Sequence, residues 1–103
     1  MYYDMQGNPM ELLTWAKLFE SAERRIGQNI IGYVEVSTVW IGLDHNMSGC
    51  GPPLIFETMV FGGPHDQWQA RYATLAEAEA GHAVVVAAIK AGLPPGTGEE
   101  ATP

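Results

Sequence analysis

The sequence predicts an α+β domain: an antiparallel sheet of three to four strands with two helices on one face, in the order β-α-β-β-β-α. Residues 34–43 and 54–63, V-E-V-S-T-V-W-I-G-L and L-I-F-E-T-M-V-F-G-G, are rich in β-branched and aromatic side chains. They are joined by D-H-N-M-S-G-C-G-P-P, so the whole reads as two adjacent antiparallel strands and their loop. Two further stretches, near residues 9–25 and 75–90, repeat apolar residues at spacings of three and four, the mark of amphipathic helices. Helices and strands do not alternate as a doubly wound parallel sheet requires.

Taken in order, Tyr2 and Tyr3 suit a short edge strand closed by a turn at Gln6 and Gly7. Asn8 suits a helix N-cap, Pro9 the first helical position and Glu11 a capping box. Leu12, Trp15, Phe19, Ala22 and Ile26 then form a stripe from about residue 9 to 25. Arg24 and Arg25 would lie at its negative end and Gly27 would stop it. Residues 28–32 are mixed, with Ile30 and Ile31 strand-like and Gly27 and Gly32 interrupting. The long strands follow at about 33–43 and 54–61, and a short one at 69–73. Thr74 with Glu77 makes a capping box for the last helix, whose stripe is Leu75, Ala78, His82, Val85 and Ile89. Gly81 weakens that helix by about 1 kcal/mol, and close approach to the sheet would account for it. The helix stops at Lys90, Gly92 and Pro94. Residues 1–92 form the single domain, and 93–103, without periodicity, are expected as a flexible tail.

The two long strands carry more apolar side chains than one helical layer can cover. One face of the first shows Val34, Val36, Thr38 and Trp40, and the other Glu35, Ser37, Val39, Ile41 and Leu43. The second sets Leu54, Phe56, Thr58 and Val60 against Ile55, Glu57, Met59 and Phe61. Neither strand has a purely polar face, so the sheet is expected to meet a protein partner or a second copy of the chain. Trp40, Phe61, Trp68, Arg71 and Tyr72 are the candidate protein-binding residues, with Trp68 expected exposed in a polar loop.

Apolar residues make up 47% of the 103-residue chain and charged ones 17%, enough for a core but little for a charged surface. Five basic residues against twelve acidic ones give a net charge of −7, which repels a phosphate backbone and argues against direct nucleic-acid binding. The acidic balance suits solubility, or an acidic face that competes for another protein's basic surface. A lone Cys50 excludes an internal disulfide and fits a reducing cytoplasm. No segment approaches the roughly 20 apolar residues needed to cross a bilayer, so a cytoplasmic protein without membrane contact is expected.

Catalytic signals are sparse. Asp44, His45, Asn46 and Ser48 cluster in the loop between the long strands, with Glu57 a few residues on. Asp44, His45 and Glu57 would serve a small metal-dependent hydrolase if they converged. The same residue types are also those by which loops satisfy their own backbone. His45, His65 and His82 have unrelated spacings, and His82 suits a partly buried, hydrogen-bonded histidine. The glycines of G-C-G-P-P and F-G-G-P match no phosphate loop, and no cofactor motif is present.

The runs S-T-V-W-I-G-L-D-H, G-P-P-L-I-F-E-T-M-V-F-G-G and R-Y-A-T-L-A-E-A-E-A-G-H, with G-N-P-M-E-L-L-T-W-A-K-L-F-E near the start, span about residues 1–90. In them the chain resembles a family of small uncharacterised proteins of phages and prophages. The resemblance implies an accessory role in the cytoplasm of an infected bacterium and brings no catalytic residue with it. A host-directed inhibitor, including one aimed at a CRISPR-type defence complex, fits that setting; a virion or assembly component is the alternative.

Overall fold

The computed structural model describes residues 1–21, 24–44, 46 and 50–96. Strands β1 (Tyr2–Tyr3) and β2 (Pro9–Met10) form a small hairpin, followed by helix α1 (Leu12–Phe19). Strands β3 (Arg25–Ile31), β4 (Val34–Trp40), β5 (Phe56–Phe61) and β6 (Gln69–Tyr72) form an antiparallel meander in sequence order, and helix α2 (Leu75–Lys90) lies across one face of it. The α+β class and the antiparallel sheet are those expected. Beyond it, the structure adds the hairpin and a full-length fourth strand.

The first helix is shorter at both ends than periodicity predicts: β2 takes its start, and β3 opens at Arg25, its expected last residue. Asp4 Oδ1 accepts hydrogen bonds from the backbone N–H groups of Gln6 (3.0 Å) and Asn8 (2.8 Å), and Gly7 takes a positive φ of 84°. This turn returns Pro9 and Met10 beside Tyr3 and Tyr2, so Asn8 is a turn residue and the helix starts from an extended Glu11 with no side-chain cap. At the other end, Arg25 opens a strand. Residues 27–31 pair with β4 as the edge strand of the sheet, and Gly27 and Asn29 are poor helix formers. Ile26 meets the helical spacing for another reason: a register shift between Arg25 and Gly27 turns it toward the core. Gly32, at φ 63°, begins the two-residue connection between Ile31 and Val34, where a right-twisted hairpin calls for a left-handed residue.

On the α2 side the central strands present three cross-strand rungs. Val36 faces Val60, Thr38 faces Thr58 and Trp40 faces Phe56, all six buried. The Val36 and Val60 rung packs on Val85, with Ile31, Val34, Trp68 and Ile89 around it. Trp40, Phe56 and Ile55 pack on Ala78, and Tyr3, Met5, Met10, Trp15 and Phe19 close that end. Burying side chains such as Trp40 and Phe56 contributes roughly 3 kcal/mol each. The Trp15 indole N–H donates to the Ile41 carbonyl at 2.9 Å, and its ring lies against Tyr2 and Phe19. Trp15 thereby ties α1 and the hairpin to the end of β4.

Helix α2 begins with the expected capping box: Thr74 Oγ1 accepts from the Glu77 N–H at 3.1 Å, and the Glu77 carboxylate accepts from the Thr74 N–H at 3.1 Å. Gly81 is buried, and a Cβ there would collide with the Tyr72 ring. The close approach expected of this glycine is its packing role. Beyond α2, Leu93 and Pro94 are exposed and the side chain of Pro95 is fully buried. Among the described residues no helix is long and apolar enough to cross a membrane.

Candidate functional site

The sheet face turned away from α2 is the larger surface feature. Alternation places Glu35, Ser37 and Val39 of β4, Glu57, Met59 and Phe61 of β5 and Gln69 and Arg71 of β6 on it. The register with β4 adds Arg25, Gln28 and Ile30 of β3. A shallow depression of about 370 Å³ runs over this face between Phe19, Arg24, Val39, Ile41, Met59 and Phe61. Its apolar floor keeps contact with solvent at Phe61, which is 42% exposed; Ile30, 70% exposed, lies on the edge strand with Glu35 between the two.

Polar groups frame that floor. Gln28 accepts from Arg25 Nη1 at 2.5 Å through Oε1, and its Nε2 donates to Glu35 at 2.6 Å. On the opposite side Arg71 donates to Glu57 at 3.1 Å and to Gln69 at 2.8 Å. Ion pairs exposed in this way contribute about 0–1 kcal/mol. The Arg24 guanidinium lies 4.4 Å from the centre of the Phe19 ring, a cation–π contact at the corner of the depression.

Beneath α2 lies a second polar feature, held between the two apolar rungs. Gly27 stands opposite Thr38, and the His82 imidazole fills the space that a Cβ at Gly27 would enter, at 2.9 Å. Its Nδ1 lies 2.7 Å from Thr38 Oγ1, its Nε2 lies 2.7 Å from Asn29 Oδ1, and Thr38 Oγ1 lies 2.5 Å from Thr58 Oγ1. One proton arrangement satisfies the whole chain. Neutral His82 donates from Nε2 to Asn29, Thr38 donates to Nδ1, and Thr58 donates to Thr38. Burial lowers the His82 pKa from its ordinary 6.5 by penalising the cation. A protonated ring would donate at Nδ1 and reverse both hydroxyls, turning the Thr58 proton outward from the chain. The arrangement holds α2 to β3, β4 and β5. The hydroxyl that donates to the base, Thr38, is fully buried between the strands and α2, so the arrangement acts as a polar strut within the core.

The structure divides the candidate protein-binding residues. Phe61 and Arg71 lie on the open face. Trp40 is 1% exposed in the core, Tyr72 packs against Gly81, and Trp68 is half-buried against the Val36, Val60 and Val85 cluster instead of standing exposed. The five therefore do not form one patch. Trp68 leaves solvent because its N–H bonds the His65 carbonyl and its own carbonyl accepts from the Val60 N–H, which draws the loop over the core. What the sequence pattern did not assign to the open face is Ile30, in a stretch of mixed signal, and the arginines of residues 24 and 25, read as the end of the first helix.

The expected catalytic cluster is partly described. Asp44 Oδ1 accepts from the N–H groups of Asn46 (2.7 Å) and Leu54 (3.0 Å), while Asn46 Nδ2 donates to the carbonyls of Cys50 and Pro52. That is loop-closing chemistry. Glu57 is paired with Arg71 on the open face, and His45 and Ser48 lie outside the described residues. His65 lines an apolar hollow with Val34, Val60 and Ile89, away from the His82 chain. Among the described residues no group of three His, Cys, Asp or Glu side chains is placed to hold a metal ion.

Comparisons with known protein families, with curated proteins and with solved structures find no match to this chain.

Proposed function

We propose that this protein acts by binding another protein through the sheet face opposite α2, without catalysing a reaction. The observation that carries this reading is the floor of Val39, Ile41, Met59 and Phe61, the first three half-buried and Phe61 exposed, bordered by hydrogen-bonded polar side chains. An apolar centre within a polar border is how protein interfaces are built. The likeness in sequence to small phage and prophage proteins supports an accessory role in the cytoplasm of an infected host. Its target there is a host or phage protein, a CRISPR-type defence complex among the classes that fit this setting.

The test is a capture from infected-host lysate with the tagged chain and with a Met59→Asp/Phe61→Asp variant, read by mass spectrometry. A partner held by the parent chain and lost from the folded variant is expected. Equal recovery by both would end the case for this face. Closure of the face by a second copy, the homodimer, would appear in light scattering as twice the chain mass, falling to one in the same variant.

A further inference from the structure

We infer that the open face receives an acidic, apolar protein segment: an extended stretch in which Asp or Glu alternates with aliphatic or aromatic residues. This rests on the open face being the binding surface and goes on to name what it binds.

The argument is one of charge placement. The chain is acidic, at −7, and that number alone points to a basic partner. The face reverses the sign. Among the described residues it carries Arg24, Arg25 and Arg71 against Glu35 and Glu57, whereas the described residues elsewhere carry seven acids against Lys17 and Lys90. Two of the five basic residues of the chain, Arg24 and Arg25, thus line the depression, and a third, Arg71, lies on the same face paired to Glu57 at its border.

They are also unequally used. Arg71 is paired with Glu57, but Arg24 and Arg25 form no ion pair with a described carboxylate: one rests on the Phe19 ring and the other on the neutral Gln28 amide. Two guanidinium groups of adjacent residues, beside Ser21 and Val39, offer forked donors that match carboxylates in pairs. Next to them Val39, Ile41, Met59 and Phe61 accept apolar side chains. A segment in extended form, with side chains alternating every residue, can set acids toward the arginines and apolar groups on the floor. The acidic surface around the face repels a long polyanion, so a short acidic stretch is favoured over nucleic acid.

Selection from a displayed library of random peptides of about 12 residues, long enough to cross a four-stranded face at ~3.3 Å per residue, tests this with the full chain as bait. Enriched peptides should be acidic and apolar. Binding of a synthetic peptide from that set, read by fluorescence anisotropy, should weaken at least about tenfold in Arg24→Glu/Arg25→Glu and should fall with added salt. Circular dichroism melting checks that the variant folds. Enrichment of neutral or basic peptides that still require Met59 and Phe61 would overturn the acidic partner while leaving the open face as the binding surface. If no selected peptide responds to Met59→Asp/Phe61→Asp, both readings fall. Tighter binding of a single-stranded oligonucleotide of about 20 nucleotides than of the acidic peptide, lost in the arginine variant, would overturn the inference in favour of nucleic acid.

Discussion

Thr38 and Thr58 should be unequal in cost although they are the same residue type, both fully buried and opposite one another. Thr58→Val removes the last donor in the chain and leaves Thr38 still donating to His82, so the loss is one neutral hydrogen bond, about 1 kcal/mol. Thr38→Val removes the central member. It breaks two bonds and leaves the Thr58 hydroxyl buried without its partner, a cost of about 2–4 kcal/mol. In the double variant the stranded hydroxyl is gone and a Val pair continues the apolar rungs on either side. The double should therefore be more stable than Thr38→Val alone, with a coupling of about 1–3 kcal/mol in its favour. Urea unfolding followed by circular dichroism measures all four corners of the cycle, and in a chain of this size each 1 kcal/mol also moves Tm by about 4–8 °C. Equal single costs, or strictly additive ones, would mean that the two hydroxyls are not joined to His82 in one chain.

Four other outcomes follow from the same contacts. The folded pKa of His82 is lowered, so its contribution to stability is complete above the unfolded value of about 6.5 and is lost as pH falls through the lower folded value; urea midpoints measured across that range should drop more for the parent chain than for His82→Gln. Gly81→Ala gains about 1 kcal/mol of helix propensity but drives a methyl into the Tyr72 ring, for a net loss of about 1–2 kcal/mol that Tyr72→Leu should partly restore, as thermal melts would show. Trp15→Phe deletes the indole donor to the Ile41 carbonyl and should cost about 1 kcal/mol, with hydrogen exchange accelerated in the β1–β2 hairpin before the central strands. Phe61→Ser should change stability by less than about 1 kcal/mol in a denaturant melt, since that ring is 42% exposed, while weakening any partner complex.

The parts of this fold that could be read from the sequence are those whose signals are local and unshared. The Thr74 and Glu77 capping box, the positions of both central strands and the packing use of Gly81 each depend on a few neighbouring residues, and each is found as read. The first thirty residues misled because a tertiary choice overrode a local one. Ile26 sits at a helical spacing from Phe19, yet strand pairing with β4 and a bulge account for it, and the Asp4 turn outbids Asn8 as a helix cap. The polar strut left a visible trace in two threonines on the inward parity of otherwise apolar strands. Only the fold, however, brings Gly27 and Asn29 to the ring. The arginines at the open face had no such trace, since their grouping depends on where β3 begins.

Gly81 and His82 are consecutive, and they engage the sheet in opposite senses: the first is a hollow that admits Tyr72, the second a projection seated over Gly27. A peg beside a socket indexes one surface against another. Moving α2 along its axis by a single turn would set Ala78 or Val85 against the tyrosine and lift the imidazole from its seat, and rotating it would do the same. The helix is therefore locked in both translation and spin against the sheet.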